Sequence, residues 1–381
     1  MILPGGDLAD RPRFVTFNEL RAGYSRWLDL SKDEGLLRLL YGAMVANRLD
    51  GVPVWILLIG PASTGKTEIL MSLSGADEWV YTVSTLTPAA LASGYGSEQA
   101  SLLFRANHRI LVVKDASAID QLCSEDRGMV FSILRDAYDG KLERATGRGE
   151  IRWEGKIGVL MAGTPALEQG RKMEAMLGER FLTIRTRMFG ASKELLLRNV
   201  AIKGPLSEDL RRIAGEYLES FQLPSVKSLP RSVVDEAFSV AERIAQLRTP
   251  VSRDRYTKAV DFPATIAEGP ARLYSQLSLL ALGMRACGAE TPELLSALQR
   301  MLVDNIPLVR VCVLRQVAQG VHLPHEVAAR VRLSPSTVIR TMEDMEMLEV
   351  LHRDRARVRI SVQGLQEALL NGHNPEKGQR P

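Results

Sequence analysis

An apolar run, Trp55 to Ile59, leads straight into Gly60, Pro61, Ala62, Ser63, Thr64, Gly65, Lys66 and Thr67, and an amphipathic helical start follows. No other stretch constrains the fold as strongly. A buried-type strand, a turn with glycines at its first and sixth positions and a helix N-terminus together form a phosphate-binding loop. Gly60 and Gly65 permit the tight path. The backbone N–H groups then turn inward on the β- and γ-phosphates. Lys66 adds a flexible cation, Thr67 offers a hydroxyl to Mg²⁺, and the helix start adds partial positive charge. The stretch predicts a nucleoside-triphosphate site on an α/β fold with a parallel sheet.

The chain has 381 residues, room for several domains around such a core. Its punctuation divides it into a helical lead-in at 1–50, an α/β core at 51–203, a helical lid at 204–303, a helix-turn-helix module at 304–370 and a polar, disordered tail at 371–381. In the lead-in, Phe17 to Leu30 reads as a short helix. Ser31 and Glu34 have capping-box spacing before a second helix that Asp50 and Gly51 stop. A formal charge of +4 allows nucleic acid as a partner without requiring it. The three cysteines and five histidines lack metal-ligand spacing, so neither a disulfide scaffold nor structural zinc is expected. No apolar run is long enough to span a membrane and no leader pattern opens the chain, so a cytoplasmic protein is expected.

Further along the core, the apolar run Ile110 to Val113 ends at Lys114 and Asp115. An acid at such a strand end holds Mg²⁺, and a neighbouring one polarises the attacking water. Here Asp115 stands alone, so it coordinates the metal, activates water, or does part of both. A helical stretch from Gln121 to Tyr138 follows, and two short alternating runs around Gly147 and Gly149 predict a hairpin. The hairpin carries Lys141, Arg144, Arg148, Arg152 and Lys156. In a ring of subunits these would track a phosphate backbone. The strand from Ile157 to Ala162 ends near Thr164, whose hydroxyl is placed for the γ-phosphate or the lytic water. Arg180, with Arg185 and Arg187 as rivals, is the candidate for stabilising charge on the transferred phosphoryl group of a neighbouring subunit.

These residues resemble an AAA+ ATPase. The order is phosphate loop, acidic strand end, helix, hairpin, polar strand end and the step Gly178-Glu179-Arg180-Phe181. The hairpin before the Thr164 strand is similar to the helicase-type branch that includes minichromosome-maintenance helicases. There the arginine before Phe is the arginine finger, which points to Arg180. The stretches 46–49, 134–140 and 163–166 also resemble ATPases of phages and mobile elements. The resemblance covers about residues 33–300 and departs from the usual pattern at Lys114, Asp115 and Thr164. It also implies a lid arginine over the γ-phosphate, and Arg272, in the first turn of a helix after Gly269 and Pro270, matches it. An arginine there opposes the helix dipole, so an anion partner would explain it.

Residues 326–340 resemble a helix-turn-helix, and the segments 348–351 and 358–360 can pair as a wing. Arg340 lies on the third helix, and Arg353, Arg355, Arg357 and Arg359 cluster at the wing. Glu343, Asp344 and Glu346 on that helix argue for backbone contact rather than base reading. The expectation is an ATP- and Mg²⁺-dependent DNA motor, a helicase or translocase of a phage or mobile element. It would act as a homo-oligomeric, hexameric ring, with no membrane partner. A helicase loader or protein remodeller that uses ATP to control assembly is the alternative.

Overall fold

The strand before the phosphate loop lies inside a five-stranded parallel sheet, the arrangement its unbroken apolar run requires. The computed structural model of the protein describes residues 14–92, 101–146, 149–169, 180–187, 205–223, 228–254, 269–354, 357–362 and 365–371, and the single positions 193, 195, 197 and 257. The expected loop at Gly94–Gly96 and the polar tail beyond 371 lie outside these residues, as do Arg148 and Arg355.

The sheet consists of β1 (Trp55–Ile59), β2 (Val80–Val83), β3 (Ile110–Val113), β6 (Gly158–Gly163) and β7 (Phe181–Arg185), in the order β2-β3-β6-β1-β7. Both faces are buried, and strand alternation divides them. Ile56 and Leu58 join the larger apolar cluster, with the lead-in, lid and C-terminal helices. Trp55, Leu57 and Ile59 join the smaller one, under α7 (Ser124–Tyr138) and the β4–β5 hairpin (Lys141–Thr146 and Gly149–Glu154). Fully burying a Leu or Ile side chain stabilises by about 1.5–3 kcal/mol, so the two layers hold the sheet rigid beneath the loop.

The lead-in differs from expectation in its caps. Thr16 and Glu19 form the capping box, and it opens α1 (Phe17–Ser25). Ser31 donates to Asp29 at 2.6 Å instead, Glu34 pairs with Arg21 at 3.0 Å, and α2 (Leu36–Ala46) starts after Gly35 with no side-chain cap. Tertiary contacts override the local motif here, because the intervening Asp33 is drawn into the core. Its carboxylate accepts from Arg300 at 2.5 Å and from the Arg187 backbone N–H at 2.7 Å.

The region expected as a lid forms α9 (Pro205–Ser220), α10 (Arg231–Arg248), α11 (Ala271–Ala286) and α12 (Thr291–Asp304). Helix α11 lies against α2 so closely that a Cβ on Gly283 would stand 2.0 Å from the Gly42 carbonyl oxygen. Three further helices follow: α13 (Leu308–Ala318), α14 (Pro324–Val331) and α15 (Pro335–Met347). The antiparallel ribbon of β8 (Leu351–Asp354) and β9 (Arg357–Ile360) and then α16 (Leu365–Asn371) complete the described chain. Ser334 caps α15 by accepting from Thr337 N–H. Helix α10 is tied to this last part. Gln246 donates to the Leu348 carbonyl at 2.7 Å, and the buried Arg310 donates to the carbonyls of Leu247 and Thr249 at 2.6 and 3.0 Å. No helix among the described residues is long and apolar enough to cross a membrane.

Candidate functional site

The loop from Gly60 to Gly65, the candidate phosphate loop, links β1 to α3 (Lys66–Ser72). Two of its residues take left-handed backbone angles, Ser63 at φ 60° and Gly65 at φ 82°. A serine there costs about 1–3 kcal/mol, strain of a kind that collects at ligand-gripping turns. Lys66 is 7% exposed and folds back over the loop. Its Nζ donates to the Gly60 carbonyl at 2.8 Å, to the Pro61 carbonyl and to Thr64 Oγ1 at 3.3 Å. Burial pulls the Lys66 ammonium below the usual lysine range, and the Asp115 carboxylate partly opposes it.

Main-chain bonds bring the expected partners to the same sheet edge. Gly60 N–H donates to Gly163 at 3.2 Å, Ala116 N–H to Ala162 at 2.7 Å, and Thr186 N–H to Ile59 at 2.8 Å. The loop, Asp115 after β3 and Thr164 after β6 therefore share the C-terminal edge of the sheet. Asp115 is exposed, as is Lys114, and its Oδ1 accepts from Ser117 N–H at 2.9 Å. That bond ties the exposed carboxylate to the turn that follows β3. A divalent cation carried with a triphosphate fits this edge, because Thr67 and Asp115 are hard oxygen donors. No group of three or more His, Cys, Asp or Glu residues gathers among the described residues to hold a metal unaided.

Arg180 and Arg272 lie at the opposite edge. Arg180 directly precedes β7, whose Phe181 is in register with Trp55, the first residue of β1. Its guanidinium pairs with Asp139 at 3.1 Å and sits 5.5 Å from the Tyr138 ring centroid, and Gln276 of α11 donates to its carbonyl at 2.8 Å. Arg272 lines a cleft of about 640 Å³ with Gly51, Pro53, Tyr138, Asp139 and Lys156. The length of β1, about 13 Å at strand rise, separates this cleft from the phosphate loop. Arg272 thus stands at the end of β1 away from the loop of its own chain. Arg185 and Arg187 follow a different path. Arg185 donates to the carbonyls of Val303 and Ile306 at 2.9 and 2.8 Å, and Arg187 lies in the Asp33–Arg300 cluster. Burial and the neighbouring Arg300 pull the Arg187 guanidinium down from its usual value.

The hairpin expected at 141–156 is present as β4 and β5, but much of its basic charge is committed. Lys141 faces Glu154 at 3.8 Å, Arg152 pairs with Glu150 at 2.8 Å, and Arg144 rests on the Met129 sulfur at 2.8 Å. Lys156 donates to the Leu49 carbonyl at 2.6 Å. The ribbon expected as a wing starts three residues later than its sequence pattern predicts, at Leu351. Arg353 pairs there with Glu346 at 2.7 Å, Arg359 is exposed, and the backbone of Arg357 opens β9. Arg340 is exposed on α15.

Three contributors escaped the sequence reading. Thr186 packs so tightly on the loop that a Cβ on Gly60 would lie 2.0 Å from its Cγ2. Asp33 and Arg300 join the lead-in to the lid across 267 positions. A cavity of about 1020 Å³ opens beside Arg187, between Asp33, Arg38, Glu236, Arg243 and Arg300. None follows a local pattern, and only the repeat of arginine and threonine at 185–187 hints at the first. Comparison with known protein families finds no match for this chain, and none of the curated proteins matches it.

Proposed function

We propose that the protein is an ATP-hydrolysing, ring-forming motor on DNA, with an AAA+ core, a helical lid and a C-terminal winged helix-turn-helix. One observation carries the reading. The phosphate loop, Asp115 and Thr164 meet at one sheet edge, while Arg180 and Arg272 stand at the other. A triphosphate at the first edge reaches such arginines only on another subunit, so a head-to-tail ring, a hexamer by resemblance, completes each site.

In this reading Lys66 exchanges its loop carbonyls for β- and γ-phosphate oxygens, and the loop N–H groups hold the rest. Thr67 and Asp115 hold Mg²⁺, which neutralises phosphate charge when bound. Thr164 orients the attacking water beside the γ-phosphate. Arg180 leaves Asp139 to meet charge developing on the transferred group, and Arg272 joins it from the same face. The β4–β5 hairpin and the C-terminal module supply the DNA contacts.

The test is ATP turnover with and without single- and double-stranded DNA, beside mass measurement with a slowly hydrolysed ATP analogue. DNA stimulation and a ring mass are expected, with Lys66→Ala losing nucleotide binding and Arg180→Ala keeping it but losing turnover. A solitary protomer that hydrolyses ATP briskly overturns the shared-site reading. The single carboxylate after β3 favours a second reading, a helicase loader or remodeller in which ATP sets assembly. Failure to unwind a forked duplex, with assembly still ATP-dependent, selects it.

A further inference from the structure

Helix α15 carries Arg340, Glu343, Asp344 and Glu346 as its charged side chains, and by itself it would repel a phosphate backbone. Each of its acids is taken by an arginine from elsewhere. Arg253, in the segment after α10, places Nη2 2.6 Å and Nε 2.9 Å from Asp344 Oδ1, and Nη2 3.1 Å from Glu343 Oε2. The same Nη2 lies 3.4 Å from the Arg340 carbonyl. This pair is well covered, with Arg253 and Asp344 side chains 16% and 17% exposed. Arg353 takes Glu346. The exposed Arg330, Arg332, Arg340 and Arg359 have no ion-pair partner among the described residues.

Helix geometry gives the arrangement its meaning. Glu343 and Asp344 stand three and four residues after Arg340, the spacings at which helix side chains of opposite charge pair. Arg253 holds both carboxylates away from Arg340, and so leaves that guanidinium for solvent or a ligand. We infer that Arg340 on α15 contacts a DNA phosphodiester, and that Arg253 keeps it competent from outside the module by sequestering Glu343 and Asp344. Arg253 is thus a positioning residue. The inference rests on the DNA-binding reading above and adds which side chain binds and what controls it.

The experiment is fluorescence anisotropy of the full-length protein with a labelled DNA duplex across a salt series. Arg340→Ala should weaken binding about 3–10-fold and flatten the slope of log K against log salt by about 0.9, one phosphate contact. Arg253→Gln should do the same, because Arg340 then turns to the freed carboxylates. The double variant should bind no more weakly than Arg340→Ala alone. Adding Glu343→Gln and Asp344→Asn to Arg253→Gln should restore both affinity and slope, but should not restore the slope in an Arg340→Ala background. That rescue also separates the effect from any loss of folding in Arg253→Gln. Unchanged binding by Arg253→Gln, or losses that add in the double variant, overturns the inference while the DNA reading stands. An unaltered protein that binds no duplex overturns both.

Discussion

Replacing Gly60 by alanine tests how the phosphate loop is held. The added Cβ would stand 2.0 Å from Thr186 Cγ2 and 3.4 Å from Lys66 Cδ. Ordinary carbon contacts begin near 3.5 Å, so the methyl and the loop must part by about 1.5 Å. Thr186 cannot easily give way, because its N–H is bonded to Ile59 and the next N–H to buried Asp33. The loop has to move instead, carrying the carbonyls that hold Lys66. Overpacking of this kind costs about 1–3 kcal/mol. Borne by the nucleotide-bound state, that is about 5- to 150-fold in dissociation constant. Calorimetric titration with a slowly hydrolysed ATP analogue measures it, with a urea melt to show that the fold survives. Thr186→Ser removes the offending methyl and keeps the hydroxyl, so the double variant should regain most of the affinity. Equal affinity of Gly60→Ala and the unaltered protein refutes the argument, and so does a double variant as weak as the single one.

Arg300→Met leaves Asp33 and Asp304 buried without their cation, and should destabilise by about 3–5 kcal/mol in urea. Adding Asp33→Asn and Asp304→Asn should recover part of that loss. Asn47→Ala strips partners from both the N–H and C=O of Val54 at the entrance to β1, and should cost about 2–3 kcal/mol by the same measurement. Burial pushes the Cys287 thiol from 9.0 up to about 11. The folded state thus holds its proton longer than the unfolded chain. That stability is complete below about pH 9 and fades as pH rises through about 11, with a loss of about 2–3 kcal/mol. Cys287→Ser should flatten this alkaline decline in equilibrium melts.

The legible parts of the molecule were those specified over short distances. The strand, turn and helix at 55–72 are one local pattern, and so are the alternating runs of the hairpin and the glycine and proline punctuation of the helices between 205 and 304. Ser31 and Glu34 had the spacing of a cap, but residues between them answered to a guanidinium 267 positions away. Arg272 matched a lid arginine by its place in a helix, yet sequence could not say on which sheet edge that helix would start. The acids of α15 looked adverse to DNA because the arginine that meets two of them lies about 90 residues earlier. Charge read along a helix is only half of its charge in the fold.

The 18 residues of α10 extend about 27 Å from end to end. The helix borders the large cavity through Glu236 and Arg243, and its last turn carries the Gln246 and Leu247 ties to the C-terminal helices. It is therefore a rod, packed along its length from Val233 to Leu247, that joins the cavity wall to the C-terminal helices. A tilt of about 10° sweeps its far end through about 5 Å, close to one helical pitch. A tilt of α10 would therefore be felt first at the Gln246 and Leu247 ties, where the C-terminal helices are fastened to it.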